Sequence, residues 1–243
     1  MVPFEPEEEQ KINDNLEWQQ GILEKHGLEL PVPGTITFVK TTGEEAIGTI
    51  AYTSEGTVFL TETGFNYYQE YQEEEREKEF RDTIVHELFH CLSRLYPEYR
   101  EAMYALIHFR VLDEDIDIPQ NIRDEIMANP DVEHHNSVAT FTINGEKKDC
   151  YMVFLTNDVF EKEGDVFFEH AYSAIVPLGE DVIYRVEDVK DFWDVVGENT
   201  DYVDDPEEIM ASSLALAILN MNDGYEQFAN PEILERIVEY LKK

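Results

Sequence analysis

The chain has 243 residues and a mass of 28.3 kDa, and 42% of its residues are apolar, which is enough for one complete hydrophobic core. Its 54 acidic residues against 18 basic ones give a formal net charge of −36. A field of this sign repels phosphate groups, so it excludes nucleic-acid binding through a basic groove and disfavours anionic membranes.

The number of cysteines and the first residues of the sequence bear on the cellular location of the protein. Cys91 and Cys150 are too few for a disulfide framework and belong to no CxxC pair, so we expect two free, mostly buried thiols. The sequence begins without a basic segment followed by an apolar run, and it contains no run of 18 apolar residues. These features predict a soluble protein without an export signal and favour a cytoplasmic location.

The first part of the chain predicts a helix, a small sheet and a longer helix. Apolar residues at helical spacing among acids indicate a surface helix over residues 5–26, which Gly27 would end. Short β-rich runs over residues 36–64, punctuated by Gly, Thr and Ser, indicate two or three antiparallel strands. The longer helix is expected from about Tyr67 to Leu95.

A β-rich middle and a helical end follow. After a helix over residues 98–109, the dipeptide Asn144-Gly145 lies between two β-rich segments and predicts a hairpin. Further strands are expected over residues 165–179 and 181–188. A short helix ending at Gly197 precedes a helical region that starts after Asp205 and is interrupted near Asn230-Pro231.

These elements predict an α+β fold with a small N-terminal antiparallel sheet, a long helix, a β-rich insertion and a C-terminal helical lobe. The chain contains no internal repeat, low-complexity linker or sharp change in composition. We therefore expect a single bilobed domain over residues 1–243, with approximate lobes at residues 1–110 and 111–243.

One segment of the long helix carries the residues of a metal site. Residues 86–90 read HELFH, with Glu87 directly after the first of two histidines four positions apart. On a helix, His86 and His90 lie about 40° apart on one face, as two ligands of one metal ion must. Apolar residues cover nearly half of the helix opposite this face, which indicates packing on a core. The alternative is an amphipathic helix whose histidines merely meet solvent or a carbonyl.

A catalytic zinc site normally has three protein ligands and an open position, so the histidines need a third ligand. The short metzincin form of the motif is absent, because Ser93 and Tyr96 occupy its glycine and histidine positions. Glu208 is the best candidate, since it begins a helix of small residues that can approach closely. Asp205 and Glu208 also have the spacing of a capping box, a purely structural alternative. Competing third ligands are His134, His135 and His170.

Two segments resemble those of a known family. HELFHCLSR at residues 86–94 and PEEIMA at 206–211 are similar to gluzincin-type zinc metallopeptidases, and more narrowly to bacterial proteins that pair HELxHxxSR with NTxYxxHPEExLADN. Here the second segment reads NTDYVDDPEEIMASS over residues 199–213, and NPD at 129–131 is a further similarity. The resemblance covers these segments strongly and about half of the chain loosely.

The resemblance implies a zincin-like fold in which the motif helix is the active-site helix. It also implies one Zn²⁺ cofactor bound by His86, His90 and Glu208, with Glu87 as the general base. The chain departs from the pattern in having Asp205 for His, and Ser212 and Ser213 for the Asp-Asn pair. An aspartate at position 212 would orient a histidine, and losses of such outer partners commonly weaken affinity or activity about 10- to 100-fold.

These features predict a zinc-dependent peptide hydrolase in which the metal activates a water molecule and Glu87 transfers its proton. Tyr202 is the candidate second donor to the oxyanion, and a packed aromatic is its alternative role. Arg94 lies on the same face of the helix and could hold a carboxylate, although a structural ion pair with one of the many acids is the favoured role. The substrate is expected to be a peptide or protein, and the negative field favours a cationic one.

Two other functions are compatible with the sequence. The first is a catalytically weak or inactive zinc-binding protein, which the loss of the outer aspartate would permit. The second is an acidic protein that mimics nucleic acid and binds a basic partner. This function would not explain the HELFH and PEE segments. The sequence does not indicate an oligomeric state.

Overall fold

The chain forms two compact units. Unit 1 comprises Met1–Arg100 and Ala211–Lys243, and unit 2 comprises Glu101–Met210, so unit 2 is inserted in the sequence of unit 1. The computed structural model describes residues 1–31, 35–45, 49–69, 72–156 and 170–242.

Unit 1 begins with the predicted surface helix. Helix α1 spans Pro6–His26 and starts with a capping box, in which the Glu5 backbone N–H donates to the Glu8 carboxylate at 2.8 Å. Gly27 ends the helix in the left-handed conformation, at φ 68°, which a glycine adopts without steric cost. The prediction of this helix and of its end is confirmed.

The three-stranded sheet of unit 1 differs from the expected one. Its strands are β1 Thr37–Thr41, β2 Ala51–Ser54 and β3 Thr57–Thr61, in the order β1-β3-β2. Strands β2 and β3 form an antiparallel hairpin, but β1 pairs with β3 in parallel. The prediction of a purely antiparallel sheet is therefore wrong. Strand composition indicates where strands occur. It does not indicate the direction in which β1 runs beside β3, which depends on how the chain connects the two strands.

Three helices follow the sheet: α2 Glu62–Gln69, α3 Glu73–Leu95 and α4 Pro97–Leu106. The sequence predicted one helix from about Tyr67, whereas α2 already begins at Glu62 because the Thr61 hydroxyl accepts the Gly64 N–H at 2.9 Å. Buried side chains of α1, β3 and α3 form one core in unit 1, among them Ile12, Val58, Leu60, Phe80, Ile84 and Leu88.

Unit 2 is built on a five-stranded antiparallel sheet. Its strands, in the order β4-β5-β6-β7-β8, are β4 Arg110–Val111, β5 Ser137–Ile143, β6 Glu146–Thr156, β7 Ala171–Pro177 and β8 Tyr184–Arg185. Asn144 and Gly145 both have positive φ and form the predicted hairpin. Residues 165–169 of one expected strand lie outside the described residues. The expected strand at residues 181–188 is only two residues long and runs into a short 3-10 helix.

Two short helices belong to unit 2, α5 Gln120–Arg123 and α6 Phe192–Val196. Two longer helices follow, α7 Pro206–Leu219 and α8 Pro231–Leu241. The Asp205 carboxylate caps α7 by accepting the Glu207 N–H at 2.9 Å. Helix α7 begins in unit 2, and its residues 211–219 belong to unit 1.

Two further expectations concern the cysteines and the membrane. Cys91 and Cys150 are both free and buried, as predicted. Among the helices in the described part of the chain, none combines the length and apolar character that crossing a membrane requires.

Candidate metal centre

The two histidines of the motif lie next to each other on α3. His86 is half-buried and His90 is fully buried, and their ring centroids are 4.8 Å apart with the ring planes at 75°. Ile84 and Leu88, on the opposite side of the helix, belong to the core of unit 1. Packing on that core holds the histidine face in place, which a metal site requires.

Glu87 is held by a residue that sequence analysis did not identify. The Thr53 hydroxyl of β2 donates to Glu87 Oε2 at 2.7 Å, and both side chains are buried. Thr53 lies on the inward-facing side of its strand, but this pattern marks burial and not chemistry. The hydrogen bond fixes the orientation of the carboxylate beside the histidines.

Ser212 of α7 lies close to the first histidine within unit 1. Its hydroxyl oxygen is 3.5 Å from His86 Nδ1, near the outer limit of a hydrogen bond. Position 212 is where the motif that the chain resembles has an aspartate. Because Nδ1 faces Ser212, a metal ion bound by this ring would lie at the other nitrogen, Nε2.

Glu208 is placed by the helix that it shares with Ser212. Helix α7 is continuous from Pro206 to Leu219, so Glu208 lies one turn before Ser212 on the same face, with about 5–6 Å between the two Cβ atoms. In unit 2, Asn129 Nδ2 donates to Glu208 Oε1 at 2.7 Å. Asn129 belongs to the NPD segment, which the sequence analysis identified by resemblance. Nothing in the sequence indicated that Asn129 contacts Glu208.

The first turn of α7 and the residues before it are rich in buried acids. Burial and the negative charge of Glu208 raise the pKa of Asp204 to about 7, against the opposite effect of a hydrogen bond from Ser173. Glu207 accepts a hydrogen bond from the Tyr104 hydroxyl at 2.5 Å. On α3, burial raises the pKa of Asp82, although His86 acts in the other direction. The buried carboxylates at the start of α7 favour the binding of cations.

The other predicted residues lie in unit 2. Tyr202 is half-buried, and its backbone N–H donates to the Thr200 hydroxyl at 3.0 Å. This hydrogen bond does not involve the phenol group, whose role towards an oxyanion stays a prediction.

Among the rival ligands, His134 is exposed and lies 3.2 Å from a carboxylate oxygen of Asp115. Burial lowers the pKa of His135, and the backbone carbonyl of His170 accepts a hydrogen bond from Thr156.

The side chains of α3 supply two imidazoles and the carboxylate of Glu87, and α7 carries the carboxylate of Glu208. These are donor types found at catalytic zinc sites together with a proton acceptor. Comparisons of the chain with protein-family models, curated proteins and solved structures found no match.

Proposed function

We propose that the protein is a zinc-dependent peptide hydrolase with a zincin-like fold, in which His86, His90 and Glu208 bind the metal ion. One observation carries the proposal: the Ser212 hydroxyl of α7 lies 3.5 Å from His86 Nδ1 of α3. Glu208 precedes Ser212 by one turn of α7, so the two side chains share one face of that helix.

The chemistry of the donors supports zinc as the metal. Two neutral imidazoles and one carboxylate are a known ligand set of catalytic zinc, which keeps a fourth position open. His86 would bind through Nε2, because Nδ1 faces Ser212. Asn129, which donates to Glu208 Oε1, would orient that carboxylate as outer partners of metal ligands do.

Glu87 is the general base of the proposed reaction. When bound, zinc supplies Lewis acidity that acidifies a water molecule and polarises a peptide carbonyl. Glu87 would accept the proton of this water on Oε1 and then donate it to the leaving amine. Thr53 holds Oε2 and thereby positions the carboxylate for both transfers. Tyr202 would donate a hydrogen bond to the developing oxyanion.

A second candidate function is zinc binding with little or no catalysis. The observation that favours it is the Ser212 contact itself, because a neutral hydroxyl at 3.5 Å orients His86 more weakly than a carboxylate would. Such a site would be structural or sensory. The two candidates share the metal ligands and differ in the role of Glu87.

Metal analysis tests the ligands. Protein purified without added zinc should contain close to one zinc ion per chain, and His86→Ala and Glu208→Gln should each lose most of it. His134→Ala is the matched control, since this exposed histidine lies beside Asp115 and should keep full occupancy. Loss of zinc in the control with retention in the other two variants would contradict the ligand assignment.

Cleavage of a peptide library separates the two candidates. Glu87→Gln should keep the zinc and cleave at least about 100-fold more slowly, because a neutral amide cannot accept the proton. A zinc-loaded wild type without metal-dependent cleavage would support the binding function instead. Cleavage by Glu87→Gln at the wild-type rate would show that another group is the base.

A further inference from the structure

Unit 2 contains a cavity of about 170 Å³ beside the start of α7. Ile126, Met127 and Phe154 form an apolar part of its wall. The Met127 N–H donates to the Phe154 carbonyl at 2.9 Å, which attaches this wall to β6. A cavity needs only about 10–15 Å³ to hold one water molecule, so this one has room for a side chain.

A buried carboxylate lies at the same cavity. Asp204 is only 8% exposed, and its Oδ1 accepts a weak hydrogen bond from the Ser173 hydroxyl at 3.3 Å. Within the described ranges, Oδ2 accepts no hydrogen bond and no lysine or arginine forms an ion pair with Asp204. A buried carboxylate without a cationic partner is costly, so the position favours a ligand that supplies the positive charge.

The other polar groups of the wall do not supply this charge. Asp205 is also acidic, and it already accepts the Glu207 N–H at the start of α7. Burial lowers the pKa of His135, so its imidazole is neutral near pH 7. The cavity therefore combines an apolar wall with net negative charge, which suits a long side chain that ends in a cation.

Asn129 links the cavity to the proposed metal ligand. It lines the cavity, and its side-chain amide donates to Glu208 Oε1 at 2.7 Å. A side chain bound in the cavity would belong to a residue close to Glu208 and hence to the bond that is cleaved.

We propose that this cavity binds the side chain of a lysine or arginine residue of the peptide substrate, with the aliphatic part against the apolar wall and the charged group paired with Asp204. The assignment of that residue to the neighbourhood of the scissile bond rests on the proposed function. Binding of the side chain itself requires no catalysis, so it can be measured separately.

Calorimetric titration of the full chain with two small amides tests the pocket. N-acetyl-lysine amide should bind at least tenfold more tightly than N-acetyl-norleucine amide, in which a methyl group replaces the ammonium. Asp204→Asn should abolish this difference, whereas Asp181→Asn, which removes an exposed carboxylate of the same unit, should preserve it. Equal binding of both amides to the wild type, or a preference that survives Asp204→Asn, would overturn the inference.

Cleavage assays distinguish a failure of the pocket from a failure of the hydrolase. We expect kcat/KM to fall about tenfold when lysine next to the scissile bond is replaced by norleucine. Cleavage without any preference for a basic residue would overturn the pocket and leave the hydrolase standing. Binding of the lysine amide that depends on Asp204, in a protein that cleaves no peptide, would support the pocket and contradict the hydrolase.

Discussion

At the scale of single residues, the chemistry of the candidate site is set by what each side chain meets in the folded chain. The neutral hydroxyl of Ser212 lies 3.5 Å from His86 Nδ1, at the outer limit of a hydrogen bond. Asp204 is buried near the negative charge of Glu208, and both effects make its ionised form unfavourable. Each contact leads to a measurable consequence of one substitution.

Ser212→Asp should tighten zinc binding about tenfold or more, because a carboxylate accepts the His86 Nδ1 hydrogen more strongly than a hydroxyl does. Ser212 is only half-buried, so the position tolerates the charge. Competition with a chromophoric chelator measures the zinc affinity, and Ser212→Ala is the control in which affinity should not increase. An unchanged affinity in Ser212→Asp would show that this side chain does not orient the histidine.

Asp204→Asn should raise the free energy of unfolding at pH 8 by an amount on the order of 2 kcal/mol. The pKa of Asp204 is about 7 in the folded chain against a usual 3.8. Between these values the unfolded state loses the proton and the folded state keeps it, so this group lowers stability as pH rises from about 4 to 7.

Urea unfolding of the metal-free protein at pH 5, 6, 7 and 8 measures this effect. The gain in Asp204→Asn should shrink towards pH 5, because the wild-type carboxyl is protonated there in the folded state. Asp181→Asn, at an exposed position, should show no such trend. A gain that is the same at every pH would contradict the raised pKa.

At the scale of elements, α1 is specified by local features at its two ends. The capping box at Glu5 and Glu8 starts it, and Gly27 in the left-handed conformation ends it. Gly21 lies in the middle of the same helix and is exposed, with nothing within 4 Å of a Cβ placed there. The two glycines therefore have opposite effects on stability.

Gly27→Ala should lower the free energy of unfolding by about 1 kcal/mol, because an alanine at φ 68° is strained. Gly21→Ala should raise it by roughly 0.5–1 kcal/mol, since alanine favours the helical backbone. Urea unfolding measures both changes at neutral pH. The same sign for the two substitutions would mean that the helix does not end at Gly27 in solution.

At the scale of the whole molecule, the net charge of −36 is the dominant property. Like charges in a compact chain repel one another, and this repulsion opposes folding. The described ion pairs lie mostly at the surface, where each contributes little. Stability should therefore depend strongly on screening by salt.

Raising the NaCl concentration from about 0.01 to 0.15 M shortens the Debye length from about 30 to 8 Å. We expect the Tm of the metal-free protein to rise by several degrees, since each 1 kcal/mol corresponds to about 2–4 °C for a chain of this size. The apparent zinc affinity should fall over the same range because salt screens the attractive field. A Tm that falls with added NaCl would contradict this account.

Short-range features allowed much of the fold to be predicted. The hairpin at Asn144-Gly145, the end of α1 at Gly27 and the start of α7 after Asp205 each depend on a few adjacent residues. The start of α2 was missed, although Thr61 and Gly64 have the spacing of a helix cap, because the preceding strand pattern continues through them. The parallel pairing of β1 depended on contacts between strands, which periodicity does not encode.

The sequence by itself determined the acidic field and the spacing that puts His86 and His90 on one helical face. Only the tertiary structure decided what surrounds them: Thr53 lies 34 positions from Glu87, and Asn129 lies 79 positions from Glu208. The cavity at Asp204 likewise depends on segments that are distant along the chain. The physical reason is that helical spacing and charge are local or additive properties, whereas a hydrogen bond or a cavity exists only where packing brings distant segments within a few ångströms.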